Sequence, residues 1–371
     1  MIKEIIRLSS SEKMIKEISE KIFSSERISP EEGIILFNKA DLSLLAVLAD
    51  HVRKIKNGNN VYYIRNLHVE PSNICIYKCR FCSYSRSENE GGSWELSVDK
   101  MLDDIAKAIE KGISEVHIVG GVHPEKDLAF YENLIRLVRN ISDKIHIKAF
   151  TAIELEYMFR KSGVTYEEGF EILKNAGLDS IPGGGAEIFD EEIRKKICEK
   201  KPDGKTWLAV HETAHHCGIP SNATMLYGHL ENYSHRIAHL EKLRQLQDKT
   251  KMFNAFIPLK FRNKNNELNK IPEASVTEDL RNYALCRIYL DNFPHIKAYW
   301  PMIGRQTTQL SLSFGVDDID GTIEDSTKIY SMAGVEDQHP SMSEHELLVI
   351  TSQAGRVAVE RDSLYNPVMR K

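Results

Sequence analysis

Apolar positions follow two regimes along the chain. Over roughly the first 60 residues they recur at helical spacing. Ser29-Pro30-Glu31-Glu32 reads as an N-cap, a first-turn proline and a capping-box glutamate. Asp41 opens a second helix carrying Leu44, Val47, Leu48 and His51, and Asn57-Gly58-Asn59-Asn60 ends it as a turn. Thereafter short apolar runs alternate with capped helical stretches. Strands are predicted at 67–70, 115–119, 146–150, 179–181, 222–226, 253–258, 295–300 and 310–314. Between them, Ser97 starts a helix that Gly112 ends, and Thr165 with Glu168 boxes a helix ending near Gly177. Helices at 207–217 and 231–248 follow, the second with Ile237, Leu240, Leu243 and Leu246 on one face. A last amphipathic helix runs from Ser343 to Ala354, and 356–366 reads as an irregular tail.

Eight strands alternating with helices imply parallel pairing and an α/β fold, a (β/α)8 TIM-type barrel. A doubly wound sheet would need a Gly-rich phosphate turn after the first strand, where this chain has cysteines. The expected organisation is a helical segment over 1–65, a barrel over 66–325, and a helix and tail over 326–371 packed on it. Barrel chemistry sits at the carboxyl ends of the strands. Those positions are polar or glycine-rich: Gly120-Gly121-Val122-His123-Pro124, Thr151-Ala152-Ile153-Glu154, Pro182-Gly183-Gly184-Gly185-Ala186-Glu187 and Tyr227-Gly228-His229.

Composition narrows the classes. With 371 residues, 42% hydrophobic and 28% charged, the chain is neither disordered nor a disulfide miniature. Lys plus Arg is 49 and Asp plus Glu 54, a net charge of −5, which argues against nucleic acid as a partner. No apolar run approaches the roughly 18 residues of a membrane span. The start, Met1 to Arg7, lacks a secretory pattern, so the expectation is a cytoplasmic protein without a membrane partner.

Six cysteines are present, and three fall within eight residues: Cys75-Ile-Tyr-Lys-Cys79-Arg-Phe-Cys82. Cys198, Cys217 and Cys286 read as small core residues. Three thiolates in one loop can hold three irons of a cubane that normally takes four cysteines, leaving one iron for an exchangeable ligand. The alternative is a zinc site closed by a histidine such as His68, but no second cysteine pair follows. His211-Glu212-Thr213-Ala214-His215 matches the zinc hydrolase pattern H-E-x-x-H. In a chain with 14 histidines it also arises by chance, and no downstream ligand stands out.

The C-x3-C-x2-C run after the first barrel strand resembles the radical S-adenosylmethionine (SAM) superfamily. From about residue 30 onward the chain is similar to the aminofutalosine synthase family of the futalosine route to menaquinone. The stretches that carry this are His68-Val-Glu70-Pro71-Ser72-Asn73-Ile74-Cys75, His117-Ile-Val-Gly120-Gly121-Val122-His123-Pro124, His146 to Ala152, Pro182 to Phe189, Ser221 to His229, Asp291 to Trp300 and Gly355 to Asn366. Glu212 departs from the basic residue usual there. Two sister groups share the scaffold: dehypoxanthine futalosine cyclase, and the deazaflavin synthase subunit that joins tyrosine to a pyrimidine. Both usually read closer to Q-G-G-hydrophobic-x-P after the second strand.

The resemblance implies a 4Fe-4S cluster on Cys75, Cys79 and Cys82, with SAM on the open iron. It places Phe81 against adenine and Gly120-Gly121 at the methionine amino group; Glu187, at the rim after the three glycines, reads either as a partner of ribose hydroxyls or as a cap of the next helix. Lys78 and Arg80 add positive charge beside the cluster. The implied reaction adds a 5′-deoxyadenosyl radical to 3-(1-carboxyvinyloxy)benzoate, with aryl migration and decarboxylation, giving 6-amino-6-deoxyfutalosine. A one-electron donor such as flavodoxin or ferredoxin is the implied partner. The substrate's two carboxylates call for polar partners, for which Tyr84, His123, His229 and Arg305 stand as candidates. Tyr84 and Trp94, just past the cluster loop, are candidates either to cover adenine or simply to pack. Asp317 and Asp320-Gly321 read as a turn after the eighth strand.

Overall fold

A computed structural model describes residues 13–323, 328–335 and 340–369. The chain start at Met1 to Arg7 and the expected boundary at 325/326 lie outside the described residues.

Among the described residues nine strands organise the fold: β1 (Asn60–Ile64), β2 (Asn66–Val69), β3 (Glu115–Ile118), β4 (His146–Ala149), β5 (Ser221–Tyr227), β6 (Phe253–Lys260), β7 (His295–Ile296), β8 (Asp318–Gly321) and β9 (Val357–Glu360). All their pairings are parallel. β2 pairs β3 and β3 pairs β4. Bridges Lys148 to Ser180 and Ile181 to Ser221 carry the ring to β5, which pairs β6 and then β7. A bridge from Lys297 to Asp318 reaches β8, which pairs β1. Only Arg65 separates β1 from β2, so the ring closes as an eight-stranded barrel whose fourth member is reduced to the bridges at 180–181.

The sequence-based helix limits hold where caps set them. Ser29, Thr165 and Ser343 form complete capping boxes on helices Pro30–Lys39, Tyr166–Ala176 and Glu344–Gln353. Ser97 caps Val98–Glu110. The N-terminal helices cover the barrel's outside: Pro30–Lys39 packs on Tyr233–Thr250, and Leu42–Asn57 on Val276–Tyr289. A Cβ at Gly33 would stand 2.8 Å from the Ile237 side chain, so glycine permits that close approach.

Three expectations fail. Residues 310–314 are not the eighth strand: a helix spans Arg305–Ser311, and a turn follows it. Leu312 is buried and Leu310 half exposed, and their spacing of two imitated a strand. The true strand, β8, reads Asp-Ile-Asp-Gly, where a turn was expected, because its buried carboxylates are neutralised inside the barrel. Asp320 pairs with Lys297 at 2.7 Å and Asp318 with Arg361 at 2.7 Å. The tail is also not irregular. β9 lies on β1, and the Arg361 N–H donates to Tyr63 O. Beneath the barrel, Tyr365 stacks on His295 with centroids 3.6 Å apart, and His295 contacts Asp317, which also pairs with Arg287.

Arg361→Leu is expected to cost about 3–5 kcal/mol, because it leaves the Asp318 carboxylate buried and unpaired. Urea unfolding of the purified variant checks this, and an unchanged midpoint would contradict the role given to the tail.

Candidate functional site

The cysteine loop leaves the carboxyl end of β2 and is fastened along its length. Cys75 N–H donates to Arg86 O, Ile76 N–H to Val122 O, and Cys82 N–H to Cys79 O. The Asn73 side chain bonds Gly92 O and Trp94 N–H, and the Tyr84 hydroxyl reaches Ser72 O at 3.1 Å. Arg80 donates to Lys196 O and pairs with Glu267 at 2.9 Å. Lys78 adopts a left-handed φ of 47°, which turns the chain between the first two cysteines.

Cys75, Cys79 and Cys82 line one cavity of about 350 Å³ at the carboxyl ends of the strands, together with Phe81, Tyr84, Gly120, Gly121 and Glu187. Burial raises the Cys75 and Cys82 thiols, and Cys79 is raised further by its contact with Cys198. Among the described residues, no three His, Cys, Asp or Glu side chains surround a common point that a single metal ion would occupy. Three thiols of one short loop lining one cavity suit a cluster in which each iron takes one thiolate. His68 is no fourth ligand, since it is engaged with His117 and Asn66. Cys75, Cys79 and Cys82 therefore fit a 4Fe-4S cluster.

The glycines serve packing first. A Cβ on Gly121 would lie 2.2 Å from Ile74 O, and one on Gly120 2.8 Å from Ser72 O, so the cysteine loop could not seat on this turn. Both N–H groups are committed, Gly121 to Ser72 O and Gly120 to the Glu154 carboxylate. Their carbonyl oxygens are the groups suited to an ammonium. Burial lifts Glu154 to about 7. Glu187 does not cap the following helix, a role Asp190 fills. With φ at 49°, it instead pairs with Lys201 at 2.5 Å. Although burial opposes its charge, Cys79 and Glu187 hold Lys201 above the usual lysine value, and its ammonium stands 5.6 Å from the Phe81 ring.

Three expected substrate contacts lie outside the cavity lining. His123 is buried, accepting from Glu125 N–H and lying 3.4 Å from Glu95. The buried His229 side chain sits between Glu231 and Leu226 O. Arg305 lies on a helix after β7, donates to Ser341 O and covers Trp300. Trp94 packs edge-on against Tyr84 under Lys328. The H-E-x-x-H motif is a packing element. His211 and His215 both contact the Ser221 hydroxyl at 2.8 Å, Trp207 lies on the His211 ring, and Glu212 pairs with Lys249.

The sequence reading missed the cavity floor. There His68, His117, Glu115, Lys148, Lys297 and Asp320 meet. Their signal was polar residues inside otherwise apolar strands. Glu115 pairs with Lys148 at 2.5 Å, and burial lowers His68 to about 4 and His117 well below its usual value.

A family model described as "Radical SAM superfamily" matches residues 69–243, and "CofH/MqnC C-terminal region" matches 250–365. The chain is 41% identical to an aminodeoxyfutalosine synthase of Thermus thermophilus over 95% of each chain. It belongs to the radical SAM superfamily. The superfamily uses a 4Fe-4S cluster and SAM, and the chain is a radical SAM enzyme. The chain is also 36% identical to a 5-amino-6-(D-ribitylamino)uracil–L-tyrosine 4-hydroxyphenyl transferase of Methanothermobacter thermautotrophicus, covering 92% of this chain and 95% of the relative. In fold it is similar to the FeFe-hydrogenase maturase HydG from Carboxydothermus hydrogenoformans, with a TM-score of 0.74, 19% identity, and 98% and 86% of the two chains covered. Among the described residues no helix is long and apolar enough to cross a membrane.

Anaerobically reconstituted protein is expected to carry about four iron and four sulfide per chain, and Cys79→Ala to lose most of both. Glu212→Gln should leave the iron content unchanged. Iron and sulfide assays decide, and zinc in place of iron would overturn the assignment.

Proposed function

We propose that this enzyme is an aminofutalosine synthase. It joins the 5′-deoxyadenosyl part of SAM to 3-(1-carboxyvinyloxy)benzoate, with aryl migration and loss of carbon dioxide, to give 6-amino-6-deoxyfutalosine. The observation that carries this reading is the 41% identity to an aminodeoxyfutalosine synthase along 95% of both chains. Bound together, the cluster and SAM supply a 5′-deoxyadenosyl radical.

The protein's task is containment and placement. Such a radical abstracts any accessible hydrogen, so the alkene must be held against it and water kept out. Leu226, Ile257, Leu259, Tyr299 and Met302 furnish apolar walls. Tyr330, on the short helix Ile329–Met332, covers one side, and Glu70 accepts the Lys328 and Ile329 N–H groups. Cys79 and Cys82 also back onto an outer cleft bordered by Lys78, Arg80 and Arg86. That cleft is where a one-electron donor such as flavodoxin or ferredoxin would approach.

The test is incubation of reconstituted protein with SAM, dithionite and the carboxyvinyl ether, followed by mass spectrometry. An adenosylated adduct lacking one carbon dioxide is expected. Release of 5′-deoxyadenosine without that adduct would contradict the reading and favour the sister activity, dehypoxanthine futalosine cyclase.

A further inference from the structure

Among the described residues, the floor of the cavity contains one buried ring nitrogen without a hydrogen-bond partner. β2 and β3 set His68 directly beside His117. The two rings stand nearly perpendicular with centroids 4.5 Å apart, and His117 Nδ1 is 3.3 Å from His68 Nε2. Asn66 fixes which nitrogens carry protons. Its Oδ1 accepts the Ile323 N–H at 2.8 Å, which turns its amide nitrogen toward His68 Nε2 at 3.4 Å. An amide nitrogen only donates, so His68 Nε2 is an acceptor. The His68 proton is then on Nδ1, facing the Tyr330 hydroxyl at 3.5 Å. The group opposite His68 Nε2 must also be a donor, so His117 carries its proton on Nδ1. His117 Nε2 is left with a lone pair. That atom is buried, has no hydrogen-bond partner, and belongs to a residue lining the cavity.

The charges around it are already balanced. Lys148 is paired with Glu115, and Lys297 with Asp320. Among the described residues, one other that lines the cavity, Arg262, has an unbonded buried side-chain nitrogen, and that Nε lies 3.3 Å from the Glu273 carboxylate. At His117 Nε2 the floor therefore asks its ligand for a proton donor.

We propose that His117 recognises the ring carboxyl group of the substrate through a shared proton, and that it sets specificity for a benzoate at the end remote from the cluster. This rests on the proposed function, since the vinyl end must face the cysteine loop above. A carboxylate offers no proton, so the complex gains one from solvent. Whether it rests on the carboxyl or on His117 Nε2, the count is the same, because His117 Nδ1–H stays on His68. Burial, His68, Lys148 and Lys297 disfavour extra positive charge on His117, while Glu115 favours it. Proton affinity at this point is higher in the complex than in the separated partners. Binding is therefore strongest at low pH and weakens as pH rises, by up to about tenfold per unit.

Calorimetric titration of the holoenzyme with 3-(1-carboxyvinyloxy)benzoate, without reductant, in buffers of different ionisation enthalpy measures this. Wild type is expected to take up about one proton per ligand. His117→Gln, whose amide supplies its own donor, should bind with no uptake and a flat pH profile. His117→Leu should bind roughly tenfold more weakly. The analogue without the ring carboxyl should bind both wild type and His117→Leu equally, without uptake. Zero uptake by wild type would overturn the proposal, as would equal weakening of both ligands by His117→Leu. Unchanged iron content and SAM cleavage in the variants establish that they are folded. If wild type with SAM and dithionite forms no adduct, the proposed function fails and this inference with it. If adduct forms while the proton and analogue results are null, only the role of His117 falls.

Discussion

A barrel lumen excludes water, so every charge inside it must be answered by a partner on a neighbouring strand. The cost of burying an unpaired carboxylate or ammonium far exceeds what one apolar contact returns. Here the answer is systematic. Glu115 on β3 meets Lys148 on β4, Lys297 meets Asp320 on β8, and Asp318 on β8 meets Arg361 from the C-terminal tail. The ring of strands and the pairing of charges are therefore one constraint. The last of these pairs makes the tail part of the barrel, and β9 on β1 fastens it there.

At the other end of the strands the constraint is steric. The cysteine loop lies so close to the Gly120-Gly121 turn that no side chain fits between them. The same turn is held by the Glu154 carboxylate, itself part of the capping box of helix Ala152–Ser162. Loop, turn and helix start thus hold one another. That is the kind of support a site needs if its reactive centre is to be placed within a fraction of an ångström. Lys201 adds to this by joining Glu187 to the neighbourhood of Cys79 and Phe81.

Much of this was legible in the chain. Caps at Ser29, Ser97, Thr165 and Ser343 set helix starts because a side-chain oxygen answering a free N–H is a local event. The three cysteines were legible because their spacing has few other uses. What local pattern could not reveal was polarity turned inward. β8 is half carboxylate and passed for a turn, while Leu310 and Leu312 passed for a strand. The floor histidines lie on strands whose apolar neighbours masked them. His123, His229 and Arg305 follow strand ends in sequence yet face partners of their own, because a position after a strand does not fix the direction of its side chain.

The account's central claim is that Cys75, Cys79 and Cys82 hold three irons and leave the fourth to SAM. The direct measurement is pulsed electron–nuclear spectroscopy of the reduced protein with SAM labelled at its amino nitrogen and carboxylate oxygen. The account predicts hyperfine coupling from both labels to the cluster. Absence of any coupling, or a reduced protein without a cluster signal at full cysteine occupancy, would contradict it.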